Sequence, residues 1–165
     1  MDRIISEKRS EFAVEARGLL KNFREDLGVS RLENVRLLNV YYMDCHTREE
    51  LEASLSTVFS EPSVDTVKVG DFDIPKDARV FGMRFLPGQY DQRADSAEQA
   101  VRILTGSEVS VRSMKVFILE GEISDDEFSE IKRYMINPTD SEEAPLTMPS
   151  SFKDMSVSRE KTEVF

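Results

Sequence analysis

The chain has almost none of the residue types from which metal sites and nucleophilic active sites are usually built. Its 165 residues include one cysteine, Cys45, and one histidine, His46, and the two are adjacent. A single cysteine cannot form a disulfide within the chain, which is typical of proteins in reducing compartments. Two ligands are too few for a structural zinc site, and neighbouring side chains at a strand end point apart. We therefore predict no metal site and interpret these residues as part of a loop between a strand and a helix.

Other absences exclude further classes of function. The sequence has no glycine-rich phosphate loop followed by a lysine, and no cysteine on a glycine-flanked turn that could act as a nucleophile. No apolar run approaches the roughly 20 residues of a membrane span, and residues 1–9 contain no stretch suited to a signal peptide. The net charge of -10 opposes binding to nucleic acid or to anionic membranes. We expect a cytoplasmic protein with no nucleic-acid or membrane partner, and no catalytic or cofactor-binding residue in this chain.

The hydrophobic pattern predicts the order strand, helix, strand, helix twice along the chain. Apolar residues spaced three and four apart indicate helices, and short runs rich in β-branched and aromatic residues indicate strands. The predicted strands lie at 4–5, 35–43, 66–69, 80–86 and 111–119, and the predicted helices at 12–27, 47–59, 95–104 and 124–135.

Each half of this pattern contains one helix that begins with the same signal. Thr47 and Ser124 both lie three residues before a glutamate, the spacing of a capping box. Residues 1–74 and 75–138 are each expected to form an α+β two-layer sandwich with two helices on one sheet face. Because an isolated half leaves its sheet edges open, the two halves can pair their sheets around a pseudo-twofold axis.

The pattern stops at Thr139. Residues 139–165 contain scattered charges, serines and two prolines, and cannot bury enough apolar surface to offset the entropy lost on ordering. We predict a linker or disordered tail here, and the alternative is an edge strand at 144–148.

The segment LPGQYDQRADSA, residues 86–97, contains more polar residues than a turn requires. Proline followed by glycine marks a turn, and either Asp91 or Asp95 could cap the following helix. This leaves one aspartate unexplained, together with Gln89, Gln92 and Arg93. Arg93 lies two residues from each aspartate and could bridge both, which would brace the turn, or it could face a neighbouring domain. We take these five residues as the candidate site for turn bracing or inter-domain contact.

Residues 87–97 resemble a stretch near the N-terminus of the large, single-chain phosphoribosylformylglycinamidine synthases. Further segments resemble the same region in the same order, over roughly residues 1–146. They are EKR at 7–9, VEA at 14–16, LENVR at 32–36, VFSEP at 58–62, LEG at 119–121 and INP at 136–138. The sequence departs from the family after Asn39, where Val40 replaces an expected basic residue, and residues 139–165 match only loosely.

The resemblance implies a fold and a function for the chain. These enzymes are ligases that use ATP and glutamine to convert formylglycinamide ribonucleotide to formylglycinamidine ribonucleotide in purine biosynthesis. Their N-terminal region is PurS-like, which implies two tandem ferredoxin-like sandwiches that form a pseudo-dimer. The synthetase and glutaminase regions of the same enzyme would be its partners, and ATP and magnesium would bind there. The 165 residues alone are expected to be inactive and to dock the two catalytic regions so that ammonia passes between them.

A second hypothesis belongs to a different class of function. The chain could be a free-standing ferredoxin-like module that binds a small regulatory ligand at the seam between its halves. A reading frame that continues beyond Phe165 into a synthetase region would distinguish the two.

Overall fold

The chain folds into an α+β structure in a computed structural model that describes residues 1–149. In this range one antiparallel sheet of six strands carries four helices. The strands are β1 (Asp2–Lys8), β2 (Leu32–Asp44), β3 (Asp65–Val69), β4 (Arg79–Phe85), β5 (Ser110–Gly121) and β6 (Ser141–Ala144). The helices are α1 (Val14–Glu25), α2 (Arg48–Leu55), α3 (Gln92–Thr105) and α4 (Asp125–Met135). Every predicted strand and helix is present, with shifted ends.

Two of the predicted helix starts are caps in the structure, but only one is a full capping box. Ser124 and Glu127 bond each other's backbone N–H groups at the start of α4. The Thr47 side chain accepts from the backbone N–H of Glu50 at the start of α2. The Glu50 carboxylate instead accepts from the Ser107 hydroxyl at 2.9 Å, so the return bond to Thr47 is not made.

The predicted linker starts too early. Ser141–Ala144 forms β6, which pairs antiparallel with β4, from Gly82 opposite Ala144 to Phe85 opposite Ser141. An edge strand is therefore present, but at 141–144, so it shares only Ala144 with the predicted strand at 144–148. A four-residue edge strand with two glutamates carries little hydrophobic signal, which explains the wrong start. Residues 150–165, also assigned to the linker, lie outside the described part of the chain.

The strand order is β3-β1-β2-β5-β4-β6, so the two halves meet where β2 pairs with β5. This pairing runs from Leu32 opposite Gly121 to Asp44 opposite Ser110, with an irregularity between Leu32 and Asn34. The halves therefore share one continuous sheet. None of the helices in residues 1–149 combines the length and the apolar character needed to cross a membrane.

One face of the sheet, here called the helix face, is covered at its two ends. At one end Phe23 of α1 and Ile131 of α4 pack with Phe117 of β5 in a single buried cluster. At the other end Leu51 of α2 and Val101 of α3 pack in a second cluster that includes residues of β1, β2 and β5. Between these two clusters, no helix of residues 1–149 lies above the middle of the helix face.

The opposite face, here called the back face, is covered by irregular chain. Residues 70–78 connect β3 to β4 and place Phe72, Ile74 and Ala78 against a buried cluster centred on β2 and β5. Leu146, which follows β6, packs against the same cluster. Val40, Val116 and their back-face neighbours are consequently buried without any helix on that side.

Arg3 holds the two covering segments together. Its side chain is 4% exposed. Its guanidinium lies 4.4 Å from the ring centre of Phe72, and its Nη2 donates to the carbonyl oxygen of Leu146 at 2.7 Å. Its Nε donates to the Tyr42 hydroxyl at 3.3 Å. The nearest carboxylate, on the fully exposed Asp71, is 3.9 Å away, so the cation is stabilised mainly by neutral groups.

We predict that Arg3→Ala destabilises the protein by about 2–4 kcal/mol, because it leaves a buried hydroxyl and a partly buried carbonyl without this donor and opens a cavity. Urea unfolding measures this change. Arg31→Ala is the control, since Arg31 forms only an exposed ion pair with Glu122 and should cost less than about 1 kcal/mol. Equal unfolding midpoints for the two variants would contradict the role of Arg3.

A second prediction concerns the end of the ladder between β2 and β5. Gly121 has φ +129°, and a Cβ there would lie 2.8 Å from the backbone nitrogen of Glu33 and against the carbonyl of Arg31. Gly121→Ala should therefore cost about 2 kcal/mol or more in unfolding free energy, from backbone strain and the contact with β2. Gly18→Ala in α1 is the control: its Cβ meets nothing within 4 Å, so helix propensity predicts a gain of about 0.5–1 kcal/mol. A neutral Gly121→Ala would show that this end of the ladder is not tightly packed.

Candidate functional site

The polar segment 86–97 forms a tight turn that leads directly into α3. The backbone N–H of Gln89 bonds the carbonyl of Leu86 at 3.0 Å, and Gly88 adopts φ +89°. Proline at the second position and a positive φ at the third are features of a type II turn. The turn predicted from proline and glycine is therefore confirmed.

Asp91 is the aspartate that caps α3. Its carboxylate accepts the backbone N–H of Ala94 at 3.0 Å. It also accepts the hydroxyl of Ser113 at 2.8 Å and the backbone N–H of Ser113 at 3.2 Å, on the neighbouring strand β5. One side chain thus fixes both the start of α3 and its position on the sheet.

Asp95, one helical turn further on, has a different environment. It accepts from the Tyr90 hydroxyl at 2.7 Å and from the Gln99 side chain at 2.9 Å. The hydrogen bond to Asp95 raises the pKa of the exposed Tyr90, which therefore stays protonated at neutral pH.

Arg93 does not bridge the two aspartates. No ion pair joins it to Asp91 or Asp95 within residues 1–149; instead its Nη1 donates to the Tyr41 hydroxyl on β2 at 3.2 Å. Residues two apart on a helix point in different directions, and both carboxylates already have other donors. The bracing arrangement considered from the sequence is therefore wrong for Arg93, and Asp91 supplies the brace. Arg93 itself is exposed.

The remaining two candidate residues, Gln89 and Gln92, are exposed, and Gln92 lines a cavity of about 950 Å³. Gln89 is within the turn, and Gln92 is the first residue of α3. The five candidate residues thus fall into three groups: a structural cap, a surface pair of glutamines with Asp95 beside them, and Arg93 directed towards the sheet.

The direction of Arg93 matters because the uncovered middle of the helix face forms a cleft. Two cavities of about 870 and 950 Å³ lie along it and share four lining residues, Tyr41, Thr57, Val58 and Arg93. Tyr41 is 6% exposed, and its ring packs against Phe59 with centres 4.8 Å apart. The pair of Arg93 and Tyr41 therefore stands where the two cavities meet.

The floor of the cleft is polar. Ser6, Asn39 and Lys115 lie opposite one another on β1, β2 and β5 and form one row across the sheet. Lys115 is paired with Glu15 of α1 at 3.3 Å. The Oδ1 atom of Asn39 is buried and has no hydrogen-bond partner within the described residues.

Sequence reasoning did not single out Tyr41, Asn39 or Lys115. The sequence nevertheless contained a signal for them. The β2 residues on the helix face are apolar except for Asn39, and the β5 residues on that face are apolar except for Ser113 and Lys115. A polar interruption in the middle of two buried strands indicates a place where the covering layer is missing.

The thiol of the chain is not activated as a nucleophile. The Cys45 thiol is the sequence's single thiol. Burial raises its pKa, and the nearby Asp2 carboxylate raises it further. It therefore remains a weak nucleophile at neutral pH. Residues 1–149 contain no group of three histidine, cysteine, aspartate or glutamate side chains arranged to hold a metal ion.

The site yields a stability prediction that separates Asp91 from Arg93. Asp91→Ala removes a helix cap and leaves the Ser113 donors unpaired, so we expect a loss of about 2–4 kcal/mol in urea unfolding. Arg93→Ala removes one hydrogen bond at an exposed position and should cost less than about 1 kcal/mol. A larger loss for Arg93→Ala than for Asp91→Ala would reverse this assignment.

Comparison with known proteins does not show a family for the chain: no protein-family model matches it, and no curated protein matches it significantly.

Proposed function

We propose that the chain is the PurS-like N-terminal region of a single-chain phosphoribosylformylglycinamidine synthase, acting in the cytoplasm as a non-catalytic assembly region. The observation that carries this proposal is the strand order β3-β1-β2-β5-β4-β6. If β4, β5 and β6 are second copies of β1, β2 and β3, the order reads the same from either edge. Such an arrangement is what two tandem ferredoxin-like units related by a pseudo-twofold axis would produce, with their seam between β2 and β5.

The resemblance of the sequence supports the same proposal from separate residues. The similar segments occur in the order expected for that region of the enzyme, and the longest of them, residues 87–97, forms the turn and first helical turn described above. In this proposal the synthetase and glutaminase regions lie elsewhere in the full enzyme, and ATP and magnesium bind there.

The rigid turn is the part of the surface best suited to contact a neighbouring region. Gln89 and Gln92 are exposed, while Asp91 between them is fixed by Ala94 and Ser113. Amide side chains held on a rigid turn can form specific hydrogen bonds with little loss of entropy on binding. We assign to this pair of glutamines a contact that positions the catalytic regions for ammonia transfer.

The first test is the reading frame downstream of the codon for Phe165. The proposal expects it to continue into a synthetase region and then a glutaminase. A stop codon, or continuation into an unrelated domain, would contradict it and favour a free-standing module.

We predict that the double variant Gln89→Ala/Gln92→Ala of the full enzyme uncouples its two reactions. The measurement is the ratio of glutamate released to amidine formed, and it should rise because ammonia escapes when the regions are misaligned. Gln99→Ala, on an exposed position of the same helix, is the matched control and should leave the ratio unchanged.

The isolated chain provides the complementary measurement. Purified 165-residue protein should form no amidine from ATP, glutamine and formylglycinamide ribonucleotide. Turnover that disappears on immunodepletion, or an unchanged ratio in the double variant, would contradict the assembly role.

A further inference from the structure

The cleft on the helix face has a polar floor, which distinguishes it from a gap left for an apolar helix. Its floor residues Ser6, Asn39 and Lys115 form a row at the centre of the sheet, where a packed helix would require apolar side chains. A docked hydrophobic partner would leave these groups without hydrogen bonds, at a cost in free energy. A polar small molecule can satisfy them.

Arg93 is a cation in this cleft with most of its hydrogen-bonding capacity unused. Lys115 and Arg84 along the cleft are paired with carboxylates, Lys115 with Glu15 at 3.3 Å and Arg84 with Glu142 at 3.0 Å, whereas Arg17 donates to the backbone carbonyl of Ser10. Arg93 makes one hydrogen bond, to the neutral hydroxyl of Tyr41, and no ion pair within residues 1–149. A guanidinium has five N–H donors in a planar fork that matches two oxygens of a carboxylate or phosphate.

Two neighbouring groups on β2 complete a recognition pattern. The Tyr41 hydroxyl accepts from Arg93, so its own hydrogen is available to an anionic oxygen. Asn39, two residues earlier on the same face of β2, lines the same cavity as Tyr41 and Arg93. Its buried Oδ1 has no donor in the described chain and can accept one hydrogen bond from a ligand.

We propose that the cleft binds a small organic molecule that carries a carboxylate or phosphate group and, a few atoms away, a hydroxyl or amino group. The oxyanion lies between Arg93 and the Tyr41 hydroxyl, and the hydroxyl or amino group donates to Asn39 Oδ1. The cavity of about 870 Å³ that these three residues line is within the usual size range of small-molecule sites. The site lies over β2, with Arg93 of α3 contributed by the second half of the chain, and its existence does not depend on the chain being part of a larger enzyme.

Isothermal titration of the purified chain with four probes tests the proposal. Glycerol 3-phosphate and glycerate carry both features with a different anion. Inorganic phosphate lacks a hydroxyl group a few atoms away from the anion, and glycerol lacks the charge. We expect at least one of the first two to bind with a dissociation constant of about 1 mM or tighter, and glycerol not to bind. Which of the two binds more tightly distinguishes a phosphate ligand from a carboxylate ligand.

Variants locate the binding site. Arg93→Gln should weaken binding about tenfold or more, the effect of losing a charge-assisted hydrogen bond. Asn39→Leu should weaken binding of glycerol 3-phosphate but leave that of inorganic phosphate unchanged, because only the former has a hydroxyl group far enough from its anion to reach Asn39 while the anion binds Arg93. Arg133→Gln, an exposed arginine outside the cleft, is the control and should leave both affinities unchanged.

The proposal is overturned if neither organic anion binds the wild-type chain, or if Arg93→Gln and Arg133→Gln bind them equally. Thermal unfolding of each variant is measured in parallel. Because Arg93 is exposed, its substitution is expected to leave the fold intact. Asn39 is in the sheet, so Asn39→Leu could also affect folding. Tyr41→Phe keeps the ring packed on Phe59 and provides a second variant, which should weaken the binding of every anion.

Discussion

The antiparallel ladder between β2 and β5 is the constraint on which the rest of the structure depends. It joins the halves of the chain into one sheet and decides which helices become neighbours. α1 precedes β2 and α4 follows β5, so antiparallel pairing brings these two helices to the same end of the ladder. α2 and α3 meet at the other end for the same reason, and this division of the helices leaves the middle of the helix face open.

The back face shows how a single sheet is protected when all its helices lie on one side. β3 is an edge strand and β4 lies near the other edge, so the connection between them must cross the sheet. Its apolar residues, Phe72 and Ile74, bury the back of the central strands, and Arg3 fixes both this connection and Leu146. A buried arginine supplies several donors at once, which suits a place where irregular backbone leaves carbonyl oxygens inside the protein.

The cleft links the fold to both proposals. The Asp91 cap holds the turn before α3. Gln89 on that turn is exposed, whereas Arg93 faces the cleft and Gln92 lines one of its two cavities. The same short segment can therefore contact a neighbouring region on one side and a ligand on the other. Because these roles use different side chains, each can be tested without disturbing the other.

Local interactions were determined by the sequence alone. Periodicity located the strands and helices within residues 1–135, and proline and glycine located the turn at 86–89. Capping chemistry identified Asp91 as one of two candidates for the cap of α3. Each of these effects involves residues only a few positions apart, so the sequence is enough to predict it. Only the tertiary structure decided what Arg93 contacts, since Tyr41 is 52 positions away, and what encloses Arg3, since Leu146 is 143 positions away. The edge strand β6 was also decided there, because its short polar sequence becomes a strand only when β4 offers unpaired backbone groups.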